Sequence, residues 1–153
     1  LTNCLDENTE TDKTLIESLL ELMAKHRADF TLTFFYLSRL DVKASSSDSD
    51  IRNLFDGSEM FDEWLVKWRL RLSEEVVTDE QRQLNMQAVN PVYIPRNHQI
   101  EAAIRAAEDH NDFSVFDELH SVLQNPFSLQ KGKEQYMRPP EPEEVVEYTF
   151  CGT

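Results

Sequence analysis

Glycine is scarce in this chain: among 153 residues there are three, Gly57, Gly132 and Gly152. Their separation excludes a glycine-rich loop of the dinucleotide or P-loop kind, where several close glycines let backbone amides wrap a phosphate. Cysteine is nearly as rare. Cys4 and Cys151 stand near opposite ends, too few for a disulfide scaffold or a thiolate metal site, and a reducing compartment is expected. Long apolar runs are missing too; clusters such as Phe34-Phe35-Tyr36-Leu37 fall far short of the ~20 residues of a membrane span. Positive charge is in deficit, with 15 Lys and Arg against 29 Asp and Glu and a formal net charge of −14. Such a field repels a phosphate backbone, so neither nucleic acid nor membrane is expected as a partner. The polar, acidic opening has no basic segment leading into an apolar one, as a secretory signal would. Leu1 stands where a methionine would, and the chain is read as an incomplete C-terminal piece of a larger protein.

What is present is helical periodicity. Hydrophobic residues make up 40% of the chain, enough for one core. Helices are expected over 12–27, with Leu15, Leu19, Leu22 and Met23 inward and Thr11 or Asp12 as cap; over 28–40, with Phe30, Phe34 and Leu37; and from Ser58 onward. In this third helix Phe61, Leu65, Trp68 and Leu72 recur at four, three and four, widened by Trp64 and Leu70. A fourth helix opens at Thr78-Asp79 and carries Leu84, Met86 and Val89. A fifth covers 97–110 with Ile100, Ala103, Ile104 and Ala107, capped by Asn97. The sixth covers 114–124 with Phe116, Leu119 and Leu123, where Ser114 and Asp117 have capping spacing. The serine-rich stretch 44–50 reads as a surface loop. Pro91 and Pro95 hold the residues between them in a stiff extended connector. Pro139, Pro140 and Pro142 make the end an extended acidic strap, with Tyr148 and Phe150 placed to anchor it. The fold class is all-α: an antiparallel assembly of about six helices, with 1–11 as a linker, 12–126 as the helical region and 127–153 as the tail.

Chemistry is harder to find. His26, His98, His110 and His120 never pair at the spacing that puts two imidazoles on one helical turn, so exposed or capping histidines are the expectation rather than a metal site. Glu74-Glu75 and Glu143-Glu144 read as solvated carboxylates, because neighbours on a helix face different ways. No GxSxG elbow supports a serine nucleophile. Two features are left. Cys151, third from the end and followed by Gly152, is a thiol placed to reach a partner thiol or a harmless terminal one. Arg96, Asn97 and His98, at a helix start, either receive an anion or carboxylate or cap the helix and fasten the connector; capping is the expected role.

The segment Asn90-Pro91-Val92-Tyr93-Ile94-Pro95-Arg96-Asn97-His98, with Ile100-Glu101 following, resembles the C-terminal region of the selenoprotein O family, also called YdiU. Further blocks agree in order: Arg27-Ala28-Asp29-Phe30-Thr31, Trp64-Leu65 with Trp68, Asp112-Phe113-Ser114, Asn125-Pro126-Phe127 and Phe150-Cys151-Gly152-Thr153. After Phe127 the sequence departs from the family's acidic turn, reading Ser128-Leu129-Gln130-Lys131-Gly132-Lys133.

The resemblance implies a pseudokinase parent that transfers AMP from ATP to Ser, Thr or Tyr of protein substrates, using Mg or Mn. The helical region would be the C-terminal part of this kinase-like fold. The catalytic, nucleotide-binding and metal residues would all lie in an upstream kinase-like domain, which this region packs on as its partner. None maps onto this chain, so the piece is expected to be inactive alone. The resemblance also implies that Cys151 is redox-regulatory, through a disulfide with the kinase-like part, and that the protein resides in the bacterial cytoplasm or, in a eukaryote, the mitochondrion. The alternative from composition is a free-standing acidic helical interaction module; a metal hydrolase is weaker still.

Overall fold

The computed structural model describes residues 10–43 and 48–146. Among these there are seven α-helices and no strand: α1 (Glu10–His26), α2 (Phe30–Leu37), α3 (Asp48–Asn53), α4 (Glu59–Ser73), α5 (Asp79–Gln87), α6 (Asn97–His110) and α7 (Ser114–Leu123). Two 3-10 turns follow, Glu134–Tyr136 and Pro142–Glu144. The chain divides into two compact units, Leu1–Asn90 and Pro91–Thr153. The all-α class stands.

In the first unit α1 packs on α4. Leu15, Leu19, Leu22 and Met23 are buried as their spacing predicts, against Phe61, Trp64, Leu65, Trp68 and Leu72. Steps of three and four along α4 place its aromatics on one face, where they form a ladder. Phe55 stacks on Phe61 at 3.8 Å, Phe61 on Trp64 at 5.8 Å, and Trp64 on Trp68 at 6.1 Å. The Trp64 indole N–H donates to the Leu15 carbonyl at 2.9 Å, tying the ladder to α1. At the end of α1, Arg27 takes the left-handed conformation (φ 51°) and the Ala28 amide reaches back to Met23, closing the helix without a glycine.

Several expectations need correction. α2 starts at Phe30 because Asp29, not an earlier residue, caps it: its carboxylate accepts from the Leu32 amide at 2.8 Å. Phe30 consequently sits at the first helical position, largely exposed. Part of the expected serine-rich loop is the helix α3, whose Ile51 is fully buried; positions 44–47 lie outside the described residues. Leu70, Leu84 and Val89, expected inward, are exposed. α5 instead docks through polar side chains. Arg82, 2% exposed, donates to the Leu40 carbonyl at 2.5 Å and lies over the Trp68 ring. Asp12 is no cap: it is buried and holds Arg71 through two oxygens at 2.8 and 3.2 Å. Glu75, expected in solvent, has an 8% exposed side chain and also pairs with Arg71.

In the second unit α6 and α7 form a hairpin across a three-residue turn. Asn111, at φ 52°, ends α6, and the Asp112 carboxylate accepts from the Ser114 amide at 2.9 Å, doing the capping expected of Ser114. The chain beyond Phe127 is not simply extended: Gly132 turns it at φ 78°, and both 3-10 turns shorten it.

Candidate functional site

The stiff connector is pinned where its sequence suggested. Proline supplies no amide, so Val92 and Tyr93 carry the first free N–H groups after Pro91, and both donate to the Pro126 carbonyl, at 2.8 and 3.1 Å. The Tyr93 hydroxyl accepts from the Gln130 amide at 3.0 Å. The Gln130 side chain in turn donates to the Val122 and Asn125 carbonyls. Val92 and Tyr93 are almost wholly buried. Two blocks 34 positions apart in sequence, Pro91-Val92-Tyr93 and Asn125-Pro126-Phe127, thus meet at the base of the hairpin, and the departing segment after Phe127 supplies the pin through Gln130.

At the start of α6 the capping expectation changes. Arg96, not Asn97, is the N-cap residue, and its side chain makes no capping bond; its carbonyl accepts the Gln99 and Ile100 amides. Arg96 and His98 are buried, while Asn97 and Pro95 are exposed. Neither ring nitrogen of His98 has a hydrogen-bond partner among the described residues. Burial pushes the imidazole below its ordinary value; Glu144 opposes this, and Arg138 and Arg96 reinforce it. A neutral His98 is therefore the folded form near pH 7.

Arg138, not singled out in the sequence, and Glu144, read there as solvated, close a clasp beside His98. The guanidinium donates to both carboxylate oxygens, at 2.5 and 2.6 Å, and the Glu141 amide donates to Glu144 at 2.9 Å. These bonds hold the Glu144 carboxyl down to about 2. Glu144 is thus clasped rather than free, as Glu143-Glu144 were expected to be. The legible signal was Glu141-x-x-Glu144 with Pro142 at the first helical position, a capping box that the structure forms in both directions.

No group of three His, Cys, Asp or Glu among the described residues could hold a metal ion. His26 meets Asp56 at 3.2 Å, and His120 stacks on Phe116. Gly57 and Gly132 each serve a single turn with positive φ. The described residues thus bring together neither a glycine-rich phosphate loop nor a three-ligand metal cluster with which to hold Mg–ATP. Cys4, Cys151, Tyr148 and Phe150 lie outside the described residues. No helix among the described residues is long and apolar enough to cross a membrane.

The pinned connector and the ordered blocks are similar to one region of longer proteins that carry the name protein nucleotidyltransferase. The sequence model of the family "Protein adenylyltransferase SelO" matches residues 4–124. The chain is 46% identical over 144 residues to the protein nucleotidyltransferase YdiU of Bradyrhizobium sp. strain BTAi1, covering 94% of this chain and 29% of that protein. It is 49% identical over 142 residues to the YdiU of Rhodopseudomonas palustris strain BisB5, covering 93% and 29%. The chain belongs to the SelO/YdiU family, and it spans under a third of the length of the curated relatives it matches.

Proposed function

We propose that this chain is the C-terminal scaffold and regulatory region of an ATP-dependent protein adenylyltransferase that transfers AMP to Ser, Thr or Tyr of protein substrates. The observation that carries the reading is the mismatch of coverage: relatives named protein nucleotidyltransferases align with nearly all of this chain but with only 28–29% of themselves. ATP and Mg belong to the upstream kinase-like part. The chain's own residues contribute the aromatic core, the pinned connector and the clasped strap, a rigid support for that part. Cys151 acts as a redox latch toward it, and the whole protein works in the bacterial cytoplasm.

The test uses ATP labelled in its AMP moiety. The protein extended upstream through its kinase-like part should label protein hydroxyls, whereas the 153-residue chain alone should neither incorporate label nor bind Mg–ATP. Labelling by the chain alone would overturn the scaffold assignment. In the extended protein, Cys151→Ser should abolish the response to oxidant and reductant; an unchanged response removes the latch.

A further inference from the structure

Three charged side chains among the described residues face His98: Arg96 just before α6, and Arg138 and Glu144 from the strap after Tyr136. The strap also touches this turn of the helix directly, since the Gln99 side-chain amide donates to the Gln135 carbonyl at 3.2 Å. His98 is 9% exposed, and neither ring nitrogen has a hydrogen-bond partner. A neutral imidazole in such a place leaves one donor unpaired, whereas an imidazolium would bury two donors and a charge. The carboxylate that could receive them is committed elsewhere. One Glu144 oxygen accepts from the Arg138 guanidinium at 2.6 Å, the other from that guanidinium at 2.5 Å and from the Glu141 amide at 2.9 Å. Burial thus opposes a proton on His98 most strongly; Glu144 favours one, and Arg138 and Arg96 oppose it.

Lifting the strap would bring water to the ring and remove that opposition, so closure of the strap and protonation of His98 compete. We propose that the Arg138–Glu144 clasp is a proton-operated fastening, in which protonation of His98 releases residues 138–146 from the start of α6. Upstream the strap stays anchored, because Lys133 pairs with Glu118 of α7 at 2.5 Å and Tyr136 is buried. The open form gains protons over the closed one as pH falls through 6.5, the ordinary histidine value. Glu144 is silent there: its carboxyl is held at about 2 in the closed clasp and ordinarily titrates at 4.5, so its own contribution is lost only in stronger acid. The device concerns the strap alone and does not depend on AMP transfer.

The test follows amide hydrogen exchange by NMR in the 153-residue chain, each rate divided by the intrinsic rate at the same pH. Protection of the Glu141 amide, which bonds the clasp carboxylate, should fall up to about tenfold between about pH 7.5 and about pH 5.5, the gain in open form that one ordinary histidine proton allows. Protection of the Tyr136 amide, on the anchored side, should hold. His98→Gln should remove the pH dependence at Glu141, and Arg138→Gln, a partly exposed change, should strip the protection already at the higher pH. The ring signals of His98 in the unaltered chain should titrate with a midpoint below 6.5. Circular dichroism checks that the variants fold; if His98→Gln does not, the ring titration and the two amides of the unaltered chain decide. Four results overturn the proposal: constant Glu141 protection across the range, an equal fall at Tyr136, a folded His98→Gln chain that keeps the pH dependence, or a ring midpoint at or above 6.5.

Discussion

The two units solve the same problem differently. The first turns its apolar stripes inward until Trp68, Phe55 and Phe61 are fully buried, and uses charges such as Arg82 and Asp12 to close the remaining gaps. The second buries a short list, including Val92, Tyr93, Leu119 and Val122, and keeps its shape with pins: two amides on one carbonyl, a tyrosine hydroxyl on a backbone amide, an arginine on a carboxylate. Equal helical periodicity therefore serves stability in one unit and leaves a surface open in the other.

The largest expected effect lies in the first unit. Trp68→Ala removes the fully buried end of the ladder and should cost about 3–5 kcal/mol in denaturant unfolding. A cost below about 1 kcal/mol would show that the ladder is not core. A smaller effect tests the pinned unit. His98 has a lowered pKa in the folded state, so unfolding takes up a proton and stability is lost as pH falls through 6.5, the ordinary histidine value. The melting temperature should fall below pH 6.5, and His98→Gln should reduce that fall; an identical pH profile in the variant would mean that His98 is not held neutral. The smallest effect distinguishes the units most sharply. Ile104→Ser, on the exposed side of α6, should change stability by no more than about 0.5 kcal/mol. A loss comparable to that of Trp68→Ala would erase the contrast between the units.

Much of this architecture was readable from spacing. α6 has the expected bounds, and the stripe along α4 was correct except at Leu70, because three-four periodicity identifies a buried face when a partner helix is present to cover it. The same rule misplaced Leu84, Val89, Ile100, Ile104 and Phe116, which keep the period but lack a covering neighbour among the described residues. α3 was hidden by serines, although Ile51, Leu54 and Phe55 follow them at helical spacing. The candidate site was legible as a motif and not as a mechanism. Proline placement predicted a stiff connector, but its anchors are a backbone carbonyl of Pro126 and the Gln130 amide, which carry no side-chain signature. Buried charge was invisible for a related reason: Asp12, Arg82 and Arg96 look like surface residues until tertiary contacts desolvate them.

The Arg138–Glu144 clasp also sets a leash. Cys151 lies seven positions after Glu144, and a fully extended chain spans at most about 25 Å over those steps. While the clasp stays shut, the proposed partner thiol of Cys151 must lie within about that distance of Glu144. Opening the clasp would lengthen the leash, so one arginine–carboxylate pair sets the reach available to the proposed latch.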